Sequence, residues 1–198
     1  IDQKADGSFT EWGAANVAAF ASPTPDALIA PAISGLGTTY SLFELFKATG
    51  TTVAIAGGVN VTFTTFDLAV YGNAPGVLAT VADAIAGTPP AGSVLLGHTT
   101  GLISGGAHVF PGLAAGDFDL AAHFVSDAGF FSFPGSSAIV DFNGVNTSIT
   151  GLALPGTAFT ATLIGAGVQS FSTVPEPAAL LLLGSGLLGL GLSRRLRK

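Results

Sequence analysis

Cysteine is absent from this chain of 198 residues. With it go disulfides, thiolate metal sites and any thiol nucleophile. The absence is compatible with export and does not establish it. Methionine is absent too, and the sequence begins at Ile1. The native start is therefore expected to lie upstream, either in a removed signal peptide or because the sequence is a fragment.

Charge is the next scarcity. Charged residues make up 9% of the chain, against roughly 25% in ordinary soluble proteins. Four of the six basic residues, Arg194, Arg195, Arg197 and Lys198, stand in the last five positions. Before Val174 only Lys4 and Lys47 face eleven acidic residues, a net charge of −9. A surface so poor in cations has nothing with which to replace the counterions of a phosphate backbone, so nucleic-acid binding is excluded.

Long hydrophobic runs are also missing upstream of residue 174. Apolar stretches there are short and broken by Gly, Pro, Asp and Thr, and none approaches the ~20 residues of a spanning helix. Low charge thus does not mean a multi-span membrane protein. What the chain does have is glycine (28 residues), threonine and phenylalanine in runs of period two, which is the composition of a β protein.

Alternation is clearest in three places. Thr39 to Lys47 sets Tyr40, Leu42, Glu44 and Phe46 against Ser41, Phe43, Leu45 and Lys47. Thr51 to Ala56 and Val59 to Val70 flank Gly57-Gly58, a connection suited to a type I′ or II′ hairpin. Ser93 to Gly97, Phe118 to Val125, Ala138 to Phe142 and Ala158 to Leu163 complete the predicted strands. Turn residues separate them every ten to twenty positions, which predicts an all-β antiparallel sandwich or barrel-like domain over residues 1–168. Two stretches read as helices: Glu11 to Phe20, with Trp12, Ala15, Ala19 and Phe20 near one face, and Val77 to Ala86, stopped by Gly87-Thr88-Pro89-Pro90. Residues 169–174 read as a linker.

The last residues, 175–198, are of another kind. From Val174 they begin with Pro175-Glu176-Pro177, whose prolines fix φ and hold the backbone extended. Ala178 to Leu192 then runs for fifteen residues without a charge, through Leu180, Leu183, Gly186 and Leu190. As a helix it would measure about 22 Å, short for a ~30 Å hydrocarbon core, with thinning or snorkelling arginines making up the difference. The cluster Arg194, Arg195, Arg197 and Lys198 would stay cytoplasmic and leave the body outside. A buried core helix would show a polar face, and this segment shows none. Gly184, Gly186 and Gly189 match G-x-G-x-x-G, but no βαβ unit can follow in nine residues. Ser185 and Gly189 instead form a small-xxx-small pair.

Pro-Glu-Pro, a short Leu/Gly-rich hydrophobic stretch and an arginine-rich terminus, in that order, resemble the PEP-CTERM sorting tail. The resemblance implies Sec export in a Gram-negative, exopolysaccharide-producing bacterium and transient anchoring in the inner membrane. It also implies processing near Pro175-Glu176-Pro177 by an exosortase, a membrane enzyme of which this chain would be the substrate. Within the body, Tyr40 to Thr51, Val59 to Tyr71 and Gly116 to Phe124 resemble flocculation-associated PEP-CTERM proteins. That similarity implies a role in matrix formation and supplies no catalytic residues.

Chemistry is thinly represented. His98, His108 and His123 show no metal-ligand spacing. Asp117 and Asp119, with Asp127 nearby, are calcium candidates, although D-x-D also arises on the polar face of any strand. G-x-S-x-G is absent, so a Ser-His-Asp triad would have to be assembled from distant residues. Asp117, Asp119, Asp127 and Asp141 are the stock from which paired carboxylates for glycoside hydrolysis would be drawn. The phenylalanines Phe110, Phe118, Phe124, Phe130, Phe131, Phe133 and Phe142 read as core, with one of the Phe130 to Phe133 rings left for a surface patch. The sequons at Asn60 and Asn146 read as chance matches.

Two expectations follow. In the first, the chain is a non-enzymatic matrix protein without a cofactor, associating with exopolysaccharide or with copies of itself. In the second it is a carbohydrate-binding or hydrolytic β domain with the same tail, which would need an aromatic-lined groove and convergent carboxylates. Sparse charge and a single tryptophan, Trp12, favour the first.

Overall fold

Segments that read as separate short strands join into long ones. In the computed structural model, which describes residues 1–23, 26–110, 115–127, 129–133, 137–151 and 158–173, most of Thr39 to Lys47 and of Thr51 to Ala56 belongs to one strand, β5 (Ser41–Ile55). The glycine between them is not a turn. A Cβ on Gly50 would lie 2.2 Å from the Thr62 carbonyl oxygen and 2.7 Å from the Phe9 ring. Glycine stands there to let a β-bulge, seen as a register shift after Thr49, pack closely.

β6 (Gly58–Asn73) returns antiparallel from β5, with Ile55 opposite Gly58. The hairpin connection is therefore Ala56-Gly57, one residue earlier than the predicted Gly57-Gly58. Gly57 takes φ +83°, the left-handed conformation such a turn requires. β7 (Val94–Phe110), β8 (Ala115–Ser126) and β9 (Ser137–Thr150) continue the meander. Where the β6–β7 ladder is interrupted, buried Thr99 bridges it. Its hydroxyl donates to the Phe66 carbonyl (3.0 Å) and accepts from the Leu68 N–H (2.8 Å), so burial leaves no orphan there.

The N-terminal part corrects the helix reading. Glu11 to Asn16 lies in β2 (Ser8–Asn16), paired with β5, and Phe20 opens β3 (Phe20–Pro23), which pairs with β4 (Asp26–Ile29). Alternation explains it: Phe9 packs into the main core while Trp12 and Ala14 pack on the opposite side of the strand. Beyond β4 comes a single helical turn, α1 (Pro31–Ser34).

The second predicted helix exists but starts later, as α2 (Val81–Ala86). Thr80 caps it with Asp83 in a capping box, and Gly87 ends it at φ 63°. Only Ala84 of its residues is buried, and it joins Ala79 over Phe43 and Leu45 of β5. Val81 and Ile85, although apolar, are exposed.

One feature decides the architecture. β1 (Asp2–Gln3) pairs with β2 on one side and with β10 (Phe159–Thr160) on the other. β11 (Thr162–Thr173) pairs with β9. β10 and β11 are thus the two ends of a nine-stranded antiparallel sheet, in the order β10-β1-β2-β5-β6-β7-β8-β9-β11. Yet only Ala161 separates them in the chain. Ala161 exchanges both backbone hydrogen bonds with Ile1, each 2.9 Å, so the sheet is curled until its ends meet there. The result is a half-barrel. Of the two predicted architectures it is the barrel-like one, since the long strands share a single sheet.

The concave side holds the main core, in which Phe9, Phe63, Phe66, Leu68 and Phe124 are buried. Phe124 is 0% exposed and meets Phe131 (5.3 Å), Phe133 (6.1 Å) and Phe171 (5.0 Å) mostly edge to face. The Phe130 to Phe133 segment is therefore mostly core. Phe130 alone is substantially exposed, set edge-on to Tyr40 at 6.0 Å. The predicted linker is also corrected: Gln169 to Thr173 continues β11, paired from Gln169–Phe142 to Thr173–Ala138.

Candidate functional site

The calcium candidates lie on or just beyond a single strand. Asp117 and Asp119 stand two positions apart on β8, and Asp127 follows the end of that strand, roughly 27 Å from Asp119 at ~3.4 Å per residue. Each end is engaged by a different histidine. Asp117 Oδ1 lies 2.9 Å from His108 Nδ1 and accepts the His108 backbone N–H at 3.1 Å. Asp127 Oδ2 lies 2.6 Å from His98 Nδ1. Calcium needs six or more oxygens at ~2.3–2.6 Å from one point, and no such group of acidic and histidine residues occurs among the described residues. Among the described residues Asp117, Asp119 and Asp127 are not part of such a group.

Those pairs were invisible in the sequence. His108 and Asp117 face each other because β7 and β8 pair with His108 opposite Asp117, and register is set by the whole sheet. Around them runs an open trough of about 510 Å³ lined by Ser104, Gly105, Gly106, His108, Asp117, Phe118 and Asp119. The His108 ring stacks on Phe110 at 6.5 Å and 15°. Ser104, His108 and Asp117 in one trough have the composition of a hydrolytic triad but not its geometry. Ser104 lies four residues from His108 along one strand, about 13 Å, too far to pass it a proton. The trough can offer hydrogen bonds and an aromatic surface to a polar polymer.

Two further carboxyls sit where none would be expected. Glu44 on β5 is 3% exposed, and burial pushes its carboxyl up to about 7. Gln169, reaching across from β11, offsets this in part. Burial likewise pushes Glu11 on β2 up to about 7. The two do not form a catalytic pair. Glu11 stands opposite Ala48 and Glu44 opposite Ala15, four positions apart along the ladder.

The tail residues, Val174 to Pro177, the hydrophobic stretch Ala178 to Leu192 and the basic cluster Arg194 to Lys198, lie outside the described residues. No helix among the described residues is long and apolar enough to cross a membrane. Comparison with protein families does reach the tail. The model of the PEP-CTERM protein-sorting motif matches residues 173–198. The chain carries a PEP-CTERM sorting signal. The signal begins at the last residue of β11, so the folded sheet runs directly into it. It marks the protein as exported, transiently anchored in the membrane and processed by an exosortase. No curated protein matches the chain, and no solved structure matches it. The similarity of the body to flocculation-associated proteins thus rests on the sequence segments alone.

Proposed function

We propose that this PEP-CTERM protein is a structural, non-enzymatic component of an exopolysaccharide-rich extracellular matrix, in a biofilm or floc, where it remains after exosortase processing. The observation that carries the reading is the sorting signal at residues 173–198, because in this architecture the tail is an address and the half-barrel is the cargo. The character of the cargo supports it. Thr49, Thr64 and Thr65 form an exposed hydroxyl network across β5 and β6, with Oγ1–Oγ1 distances of 3.1 and 2.7 Å from Thr49. Such a surface suits hydrogen bonding with a hydrated neutral polymer, free of strong charge repulsion.

The trough beside His108 favours a second reading, a carbohydrate-binding module with the same address. The two separate on one experiment, in which released protein is co-sedimented with exopolysaccharide from the native culture. Diffuse matrix association should survive the paired replacements His108→Ala and Asp119→Asn, whereas a specific sugar site in the trough should lose at least tenfold in affinity. Failure of the wild-type protein to co-sediment, together with unchanged floc yield in a strain lacking it, would remove the matrix role.

A further inference from the structure

A strand at the edge of a sheet presents a row of unpaired N–H and C=O groups, and natural proteins blunt such edges with lysines, prolines, inward charges or bulges. β11 is twelve residues long and, among the described residues, has a partner strand on one side only, β9. Its sequence, Thr-Leu-Ile-Gly-Ala-Gly-Val-Gln-Ser-Phe-Ser-Thr, contains no charge and no proline. The one irregularity in its pairing places the extra residue, Thr147, on β9 and leaves β11 straight. On its convex side Ile164 and Val168 are 63% and 66% exposed, with Val145 of β9 beside them at 51%.

The order of residues along this edge is close to a palindrome. Ile164-Gly165-Ala166-Gly167-Val168 reads nearly the same in both directions about Ala166. An antiparallel pair of identical strands centred on Ala166 would set Ile164 against Val168, Gly165 against Gly167 and Ala166 against its own copy. That puts β-branched residues opposite each other on one face, a favourable cross-strand pair, and nothing bulky on the other. Charge limits where two copies can touch. Residues 1–173 carry net −9, so two copies repel over most of their surfaces, and an edge without charge is where they can meet.

We propose that β11 is a self-association edge, along which two copies of the protein pair antiparallel about a two-fold axis through Ala166. The pairing deepens the matrix reading, on which its biological setting rests. It is isologous, so each edge is consumed by one partner. The contact is small by the standard of stable interfaces and takes effect where processed copies are held close together in a matrix.

Because the chain has no cysteine, every disulfide in a single-cysteine variant joins the introduced residues. Ala166→Cys, made in the full chain and oxidised mildly in detergent, should cross-link to a dimer, because facing residues of an antiparallel pair have Cα atoms ~4.5–5.5 Å apart, within disulfide reach. Ile164→Cys alone and Val168→Cys alone should cross-link at least tenfold less, since each faces the other position. A mixture of the two should recover the dimer. Retention of the wild-type melting profile by each variant excludes misfolding as a cause. A monomeric Ala166→Cys or equal cross-linking at all three positions would each overturn the two-fold pairing. None of these results alters processing or matrix recovery, so failure of the edge and failure of the matrix role are distinguishable.

Discussion

β5 and β11 are both long strands with apolar stretches, and the structure uses them in opposite ways. Ser41 to Leu45 of β5 is buried at every position, because one face packs into the half-barrel and the other lies beneath Ala79 and Ala84. β11 has a neighbour on one side and keeps Ile164 and Val168 in the open. For β5, burial accounts for the apolar sequence. For β11 it does not, since an exposed edge needs charge to stay single. An apolar run therefore reflects packing in one strand and an unguarded contact surface in the other.

The largest effect that tests this contrast is expected at Phe43, which is 0% exposed and stacked on Tyr71 at 5.7 Å. Phe43→Ala should cost about 3–5 kcal/mol, read as a fall in the denaturation midpoint. A loss under about 1 kcal/mol would mean that α2 does not cover β5 as described.

Next in size is the pH dependence set by Glu44. Its folded-state value of about 7 lies above the ordinary 4.5, so the fold favours the neutral acid. That stability is fully present below about pH 4.5 and is lost as pH rises through 7. The rise from 4.5 to about 7 corresponds to about 3 kcal/mol between pH 4.5 and pH 8. Glu44→Gln should match wild type at pH 4.5 and be more stable by about that amount at pH 8. Glu11 adds a trend of the same sign, so the variant keeps some residual slope. Urea titrations at the two pH values check this, and a parallel pH slope for both proteins would contradict it.

The smallest effect on stability should come from β11. Val168→Lys lies on the exposed face, where substitutions usually change stability by less than about 0.5 kcal/mol. The same change should abolish the Ala166→Cys cross-link by placing a charge on the edge. Unchanged cross-linking would show that the edge tolerates charge, and the contrast with β5 would lose its meaning.

Much of this was legible from residues alone, where the signal was local. Pro175-Glu176-Pro177 and its flanking segments are contiguous, so the sorting signal could be read directly. The β5–β6 hairpin and the stop of α2 at Gly87 likewise depend on neighbouring residues. Glu11 to Asn16 was misread because alanine-rich stretches fit both periods, and only its partner β5 selects the extended form. The closure at Ala161 joins residues 160 positions apart, and the His108–Asp117 pair depends on a register that no local pattern encodes. The close packing at Gly50 carries no signal of its own in the sequence, because glycine marks both a turn and a close approach of two chains. The burial of Glu44 was hidden for the same reason as the closure: Gln169, across the half-barrel, is 125 positions away in the chain.

The sorting claim is tested most directly by the intact mass of the protein in the membrane and released fractions of its native culture, with Pro175-Glu176-Pro177 replaced by alanines in a parallel strain. The wild-type released form should end near Val174 to Pro177, and be missing both from an exosortase-deficient strain and from the alanine variant, which should stay in the membrane with its arginine cluster intact. A released form that still carries Arg194 to Lys198, or normal processing of the alanine variant, would contradict the sorting role.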